Sequence, residues 1–272
     1  MRKFANYPIM VNYNLHTFLR NKDKEKTLHD AGKLQQEKDL FMKVTTTSDT
    51  TLKNFIWKQE LEKFEAAVFG QLKTICANPV GRKVLDLINK RTTVWIIPKW
   101  DDPLGPCNCD MTSPLNYDIP KDGDYTPGAG SGDTVIQFKL ALDDDVLFHE
   151  LVHAYRYSCK KYNDWDIFVD DQGSVFVQNV EEFFAHEMEN IYRSQIGGKL
   201  TKEYRLQELS NKEDIYNFLA VNLEMITALK EFLRHDTLAS IAARCFPTDY
   251  NSFRDAAEIE QRYWQYKKAV GQ

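Results

Sequence analysis

The residues with the clearest chemical potential lie in one short run, His149-Glu150-Leu151-Val152-His153. In a helix, residues four apart lie on the same side, so His149 and His153 can direct both imidazoles at one metal ion. Glu150 then lies beside a water molecule that such an ion would activate. The spacing therefore predicts a zinc ion held by the two histidines, with Glu150 as the general base of a hydrolytic reaction.

The sequence around this run is that of a helix. Asp143, Asp144 and Asp145 offer an N-cap and complement the helix dipole, and the residues that follow them supply an apolar flank. The alternative is a chance match, in which two ordinary helical histidines stand beside an exposed glutamate. Only six histidines occur in the chain, and finding two of them at this spacing in a capped helix favours the zinc site.

A catalytic zinc ion usually has three protein ligands and one open position, so a third ligand should lie downstream. The run Glu182-Phe183-Phe184-Ala185 resembles the Glu-x-x-Ala pattern by which gluzincin metallopeptidases supply that ligand. Apolar periodicity instead places Glu181 on the buried face of the helix. Adjacent side chains point about 100° apart, so only one of the two can reach the ion. We predict Glu182 and keep Glu181 as the alternative; His186 and Glu189 are expected around the site or in solvent.

A second possible ligand set contains cysteine. Cys107 and Cys109 precede His149, and a deformylase-like site would combine one of these thiolates with His149 and His153. The residues around the two cysteines do not resemble that family, so loop thiols are the preferred interpretation. The chain has five cysteines, an odd number, which favours free thiols in a reducing compartment.

Other elements are predicted from the spacing of apolar residues. A long helix is expected over 55–75, a strand over 92–97, and a half-exposed edge strand over 135–140. The proline- and glycine-rich stretch 98–133 predicts a long irregular loop. Further helices are predicted over 143–160, 178–195, 211–234, 237–245 and 250–269. The expected fold is α+β, with a small mixed sheet packed on the active-site helix and a largely helical C-terminal half.

Residues 1–50 are polar and end in a Thr/Ser run, which predicts a weakly structured leader before a single catalytic domain over 52–272. The sequence shows neither a hydrophobic signal nor an apolar run long enough to span a bilayer. A net charge of −5, from 35 Lys+Arg against 40 Asp+Glu, argues against a basic surface for nucleic acid. We expect a monomer that binds neither nucleic acid nor membrane.

A wider set of motifs extends beyond the two histidines. These are His-Glu-Leu-Val-His-Ala at 149–154, Glu181-Glu182, Glu189-Asn190-Ile191-Tyr192-Arg193, Gly197-Gly198 and Tyr204-Arg205. Together they resemble the NleD-type family of bacterial effector metallopeptidases, which are delivered into host cells and cut host signalling proteins. The resemblance implies a zincin-like fold and a zinc cofactor, and it spans 149–205 of the 272 residues. The alternative interpretation of the last motifs is a polar helix end with a glycine stop.

These observations predict a zinc-dependent endopeptidase. By the resemblance, it would be a bacterial effector secreted into the host cytoplasm by a dedicated system, with a host signalling protein as its substrate. A resident cytoplasmic metallopeptidase and a non-catalytic zinc-binding interaction module remain alternatives. Tyr204, Arg193 and His186 are candidate donors to the oxyanion, and the strand over 135–140 is expected to pair with an extended substrate.

Overall fold

The structure, a computed structural model, combines helices and strands and is mostly helical. It describes residues 2–11, 50–98, 108–110, 134–138, 143–161, 168–169, 175–177, 179–201, 208–209 and 211–271. The mixed, largely helical architecture predicted from the sequence is confirmed at this level. No helix in the described part of the chain has the length and apolar character needed to cross a membrane.

The helices follow the predicted order, whereas only two of the nine strands in the described residues were predicted. The helices are α1 (Thr50–Ala77), α2 (Pro79–Asn89), α3 (Asp144–Ser158), α4 (Val180–Ile196), α5 (Lys212–Leu219), α6 (Leu223–His235), α7 (Thr237–Cys245) and α8 (Ala256–Ala269). The strands are β1 (Arg2–Lys3), β2 (Ile9–Val11), β3 (Val94–Pro98), β4 (Asn108–Asp110), β5 (Thr134–Phe138), β6 (Phe168–Val169), β7 (Val175–Val177), β8 (Leu200–Thr201) and β9 (Glu208–Leu209).

The chain forms two compact units. The first comprises Met1–Thr74 and Leu85–Lys160, and the second comprises Ile75–Val84 and Lys161–Gln272. The first unit contains a five-stranded sheet in the order β1-β2-β3-β5-β4. Strands β2, β3 and β5 run parallel, and β1 and β4 are antiparallel to their neighbours, so the sheet is mixed as predicted. Helix α3 packs against β4 and β5.

The prediction that β5 is a half-exposed edge strand is wrong. Strand β5 lies between β3 and β4, and its consecutive residues Val135 and Ile136 are both fully buried. A strand covered on both faces does not need the polar side that alternation suggested. On this side of the sheet the edge strand is β4. Its Asn-Cys-Asp sequence does not indicate a strand. A substrate that adds to this edge of the described sheet would therefore pair with β4, and the expected pairing with β5 is withdrawn.

The first residues of the predicted leader belong to the sheet. Strands β1 and β2 form a hairpin, and β2 pairs with β3 in parallel. Ile9 and Val11 are fully buried, and the Phe4 ring stacks on Phe69 of α1 at 6.0 Å between centroids. Three residues are too few to show periodicity, so the sequence analysis missed β2. Residues 12–49 lie outside the described residues.

In the second unit, side-chain caps define the starts of the helices. Asn211 accepts a hydrogen bond from the Asp214 N–H at the start of α5, and Asp236 accepts one from the Leu238 N–H in α7. Asn222 caps α6 in the same way, which divides the helix predicted over 211–234 into α5 and α6. Phe184, Phe232 and Phe253 pack together in the core, with the first two rings edge to face at 4.8 Å.

Candidate metal centre

Helix α3 is buried along most of its length, including its polar residues. Every residue from Leu147 to Tyr157 is buried, and His149, Glu150 and His153 are only 2%, 3% and 4% exposed. Taking an imidazole or a carboxylate out of water is unfavourable unless it gains a partner. The chance-match interpretation required an exposed glutamate, and Glu150 is not exposed. Asp143, at the N-cap position, makes no side-chain capping hydrogen bond, whereas Asp145 Oδ1 accepts one from the Val146 N–H at 2.8 Å.

The two histidines face each other across one turn of α3. Their Nε2 atoms lie 3.0 Å apart, and the ring planes are 76° apart. At Zn–N bonds of about 2.05 Å, two nitrogens on a tetrahedral zinc ion lie about 3.4 Å from each other. In the absence of an ion, the observed distance also suits a hydrogen bond from one ring to the other. The pair therefore fits a shared zinc ion with only a small adjustment.

Glu182 lies in the first turn of α4, where the helix dipole favours a carboxylate. Its backbone N–H donates to Asn179 Oδ1 at 2.7 Å, so the N-cap sets the position of this turn. Glu182 is half-buried. Two imidazoles and one carboxylate form a donor set suited to zinc, so Glu182 stays the predicted third ligand.

The neighbouring acidic and basic residues of α4 are also buried. Glu181 is fully buried, as the apolar periodicity predicted. His186 is 5% exposed and Glu189 is 7% exposed, so the expectation that they could stand in solvent is wrong. The physical reason is that both side chains belong to a buried polar network described next.

That network centres on Thr201 in β8. The Thr201 Oγ1 atom lies 2.8 Å from His186 Nε2 and accepts a hydrogen bond from Arg193 Nη1 at 3.0 Å. The Asn190 side chain bonds both backbone groups of Thr201, donating to its carbonyl and accepting from its N–H, at 2.9 Å each. Arg193 Nη2 also pairs with Glu189 Oε1 at 2.6 Å. The Glu-Asn-x-x-Arg motif therefore attaches β8 to α4.

The end of α4 agrees in part with the interpretation of this motif as a polar helix end with a glycine stop. The helix does stop at a glycine, since Gly197 has φ +70°, in the left-handed region. However, Glu189, Asn190 and Arg193 near this end are buried and bonded, so these polar residues are not solvated. Sequence analysis missed Thr201 because its partners are 8 to 15 residues away.

Several predicted residues stay untested by the geometry. Cys107 and Tyr204 lie outside the described residues, and for Cys109 only the backbone of β4 is described. Of the candidate oxyanion donors, Arg193 and His186 are buried and bonded to Thr201. Cys76, Cys159 and Cys245 are free thiols, as expected for these three.

The chain was compared with models of known families, with curated proteins and with solved structures. None of the three comparisons finds a match. The chemical role of the centre therefore depends on the residues of this chain alone.

Glu187 is a buried carboxyl that sequence analysis did not single out. Its Oε2 atom accepts a hydrogen bond from the Tyr250 hydroxyl, and its Oε1 atom lies 3.9 Å from His186 Nδ1. Burial raises the pKa of Glu187 from 4.5 to about 7. Burial and then the adjacent carboxyl raise the pKa of Tyr250 well above 10, so the phenol remains the donor.

The Glu187→Gln variant should lose a pH dependence of folding stability. Because the folded-state pKa is raised, the protonated carboxyl stabilises the fold, fully below about pH 4.5 and progressively less as pH rises through about 7. At about 1.4 kcal/mol per pKa unit, the unfolding free energy should fall by about 3 kcal/mol across this range. Glutamine stays neutral, so urea titrations between pH 5 and pH 8 should show a flatter profile for the variant. Identical profiles would contradict the assignment.

Proposed function

We propose that this protein is a zinc-dependent endopeptidase of zincin-like fold. The observation that carries the proposal is the geometry of α3. His149 and His153 bring their Nε2 atoms to 3.0 Å, and Glu150, between them in sequence, is buried with them. Two imidazoles and a carboxylate within five residues of one buried helix are the arrangement that a hydrolytic zinc site needs. Glu182, which begins the downstream Glu-x-x-Ala pattern, is the third ligand in this proposal.

A zinc ion held by His149, His153 and Glu182 would activate a water molecule and polarise a carbonyl group. Glu150 is the proton carrier: its carboxylate takes a proton from the attacking water and then delivers it to the leaving amine. The reaction consumes one water molecule and divides the amide into a carboxylic acid and an amine.

A protein or peptide is the substrate class that the first unit favours. Strand β4 is the edge of the described sheet, and both β4 and its neighbour β5 contact α3. An extended peptide can add to such an edge by backbone hydrogen bonds, which hold it without requiring a particular side chain. In this proposal the scissile segment pairs with β4, next to the helix that carries Glu150.

Metal content and cleavage together test the proposal. Purified protein should carry close to one zinc per chain, and it should generate a small, reproducible set of new protein N-termini in a eukaryotic cell lysate, counted by mass spectrometry. Stripping the zinc with 1,10-phenanthroline should abolish these cuts, and added zinc should restore them. A protein that binds zinc but cuts nothing would be an interaction module, and a protein without zinc would refute the centre itself.

The third ligand can be identified by a pair of neighbouring substitutions. Loss of a residue that only supports a ligand weakens metal binding by about 10- to 100-fold, so loss of a ligand should cost at least about 100-fold. We expect that weakening for Glu182→Gln and little change for Glu181→Gln, measured by competition with a zinc chelator. The reverse order would mean that Glu181 is the ligand.

We further propose that the protein acts as an NleD-type effector, cutting a signalling protein inside a host cell. Its support is the set of motifs over 149–205 and the polar stretch that follows β2. A translocation reporter fused to residues 1–50 should be transferred into host cells by a secretion system of the source organism. Strands β1 and β2 lie in that fragment, so a second fusion starting at residue 12 serves as the control for misfolding. No transfer of either fusion would favour a resident peptidase.

A further inference from the structure

The side chains that lie on the Glu182 face of α4 form a continuous polar stripe. His186, Glu189 and Arg193 follow Glu182 at steps of four, three and four residues, so all four lie within about 60° of one another around the helix axis. The three that follow Glu182 are 5%, 7% and 8% exposed. A buried polar stripe in the interior of a protein is stable only if each group is hydrogen-bonded.

Two residues of this stripe, together with Asn190, form hydrogen bonds with Thr201. Its hydroxyl contacts both His186 and Arg193, and its backbone N–H and carbonyl are both bonded to the Asn190 side chain. Thr201 itself is 3% exposed. Four hydrogen bonds from three successive turns of α4 to one residue fix the helix both along its axis and around it. A rotation of α4 by one residue, about 100°, would break all of them.

We propose that Thr201 is a positioning residue that acts through Glu182. It sets the rotation of α4 and so determines that Glu182, and not Glu181, is the third ligand of the proposed centre. The inference rests on the proposed zinc centre. It adds a residue that this centre requires, although the residue itself does not contact the metal. The N-cap at Asn179 fixes the first turn from one side, and Thr201 fixes the following turns.

The decisive variant is Thr201→Val, which keeps the volume and the backbone but removes the hydroxyl. We expect zinc affinity, measured by chelator competition on the folded protein, to fall by about 10-fold or more. Thr201→Ser restores the hydroxyl and should restore the affinity. Asn190→Ala, which removes the two backbone bonds, should weaken zinc binding by about 10- to 100-fold.

The matched control is Asn251→Ala in the same unit. Asn251 is fully buried like Asn190, and its side chain also bonds backbone groups, those of Ala242 and Arg254 among them. Its loss should lower stability to a similar extent and leave zinc affinity unchanged. Equal zinc affinity in Thr201→Val and wild type, or an equal loss in Asn251→Ala and Asn190→Ala, would overturn the positioning role. Wild-type protein that binds no zinc would instead refute the proposed function.

Discussion

The Glu150→Gln variant should bind zinc as the wild type does and yet lose at least about 99% of its cleavage rate. General-base assistance accounts for about 100- to 10,000-fold in rate, and glutamine cannot accept the proton. The substitution keeps the size and much of the polarity of the buried side chain, so the fold and the metal should be retained. Zinc content and the rate of appearance of new N-termini, measured on the same sample, check both parts.

Glu65→Gln provides the matched control for this experiment. Glu65 is a buried glutamate of the same unit, 6% exposed and located on α1. Its substitution should leave both zinc content and rate close to those of the wild type. If Glu150→Gln cleaves at the normal rate, Glu150 is not the base; if it loses its zinc, Glu150 acts as a ligand or supports one.

Replacing both histidines should remove the metal. Each imidazole supplies one ligand, and the double variant His149→Ala, His153→Ala leaves at most the Glu182 carboxylate, which is too little to hold zinc at micromolar concentration. We expect less than about one tenth of the wild-type zinc content by elemental analysis, and no cleavage. Circular dichroism should show that the helices remain.

The exposed histidine offers the control for metal content. His235 is largely exposed, at the end of α6, and His235→Ala should keep one zinc per chain. The double variant leaves a cavity at the buried helix α3. It is therefore compared with wild-type protein that a chelator has stripped of zinc, because that protein keeps its side chains intact. A double variant that is folded and retains its zinc would refute the centre.

The local parts of this protein follow from its sequence alone. Helix α3 was predictable because the spacing of Leu147, His149 and His153 and the acidic residues before them act within a few turns of one helix. The same short-range logic identified α1, its end before Pro79, and α4 with its glycine stop at Gly197. Bringing two imidazoles together needs only the repeat of a helix, so the closeness of His149 and His153 could be predicted before the fold.

Contacts between distant segments were decided by tertiary structure. Strand β4 has no strand signal, and it occupies the edge only because β5 offers it backbone partners; β2 enters the sheet from a stretch whose composition suggested a leader. The burial of Glu189 and His186 could not be predicted from the sequence of their helix. Their environment depends on Thr201, which follows the glycine stop. Periodicity reports which face of an element is apolar, whereas the partner of a buried polar group is set by whichever segment the fold brings against it.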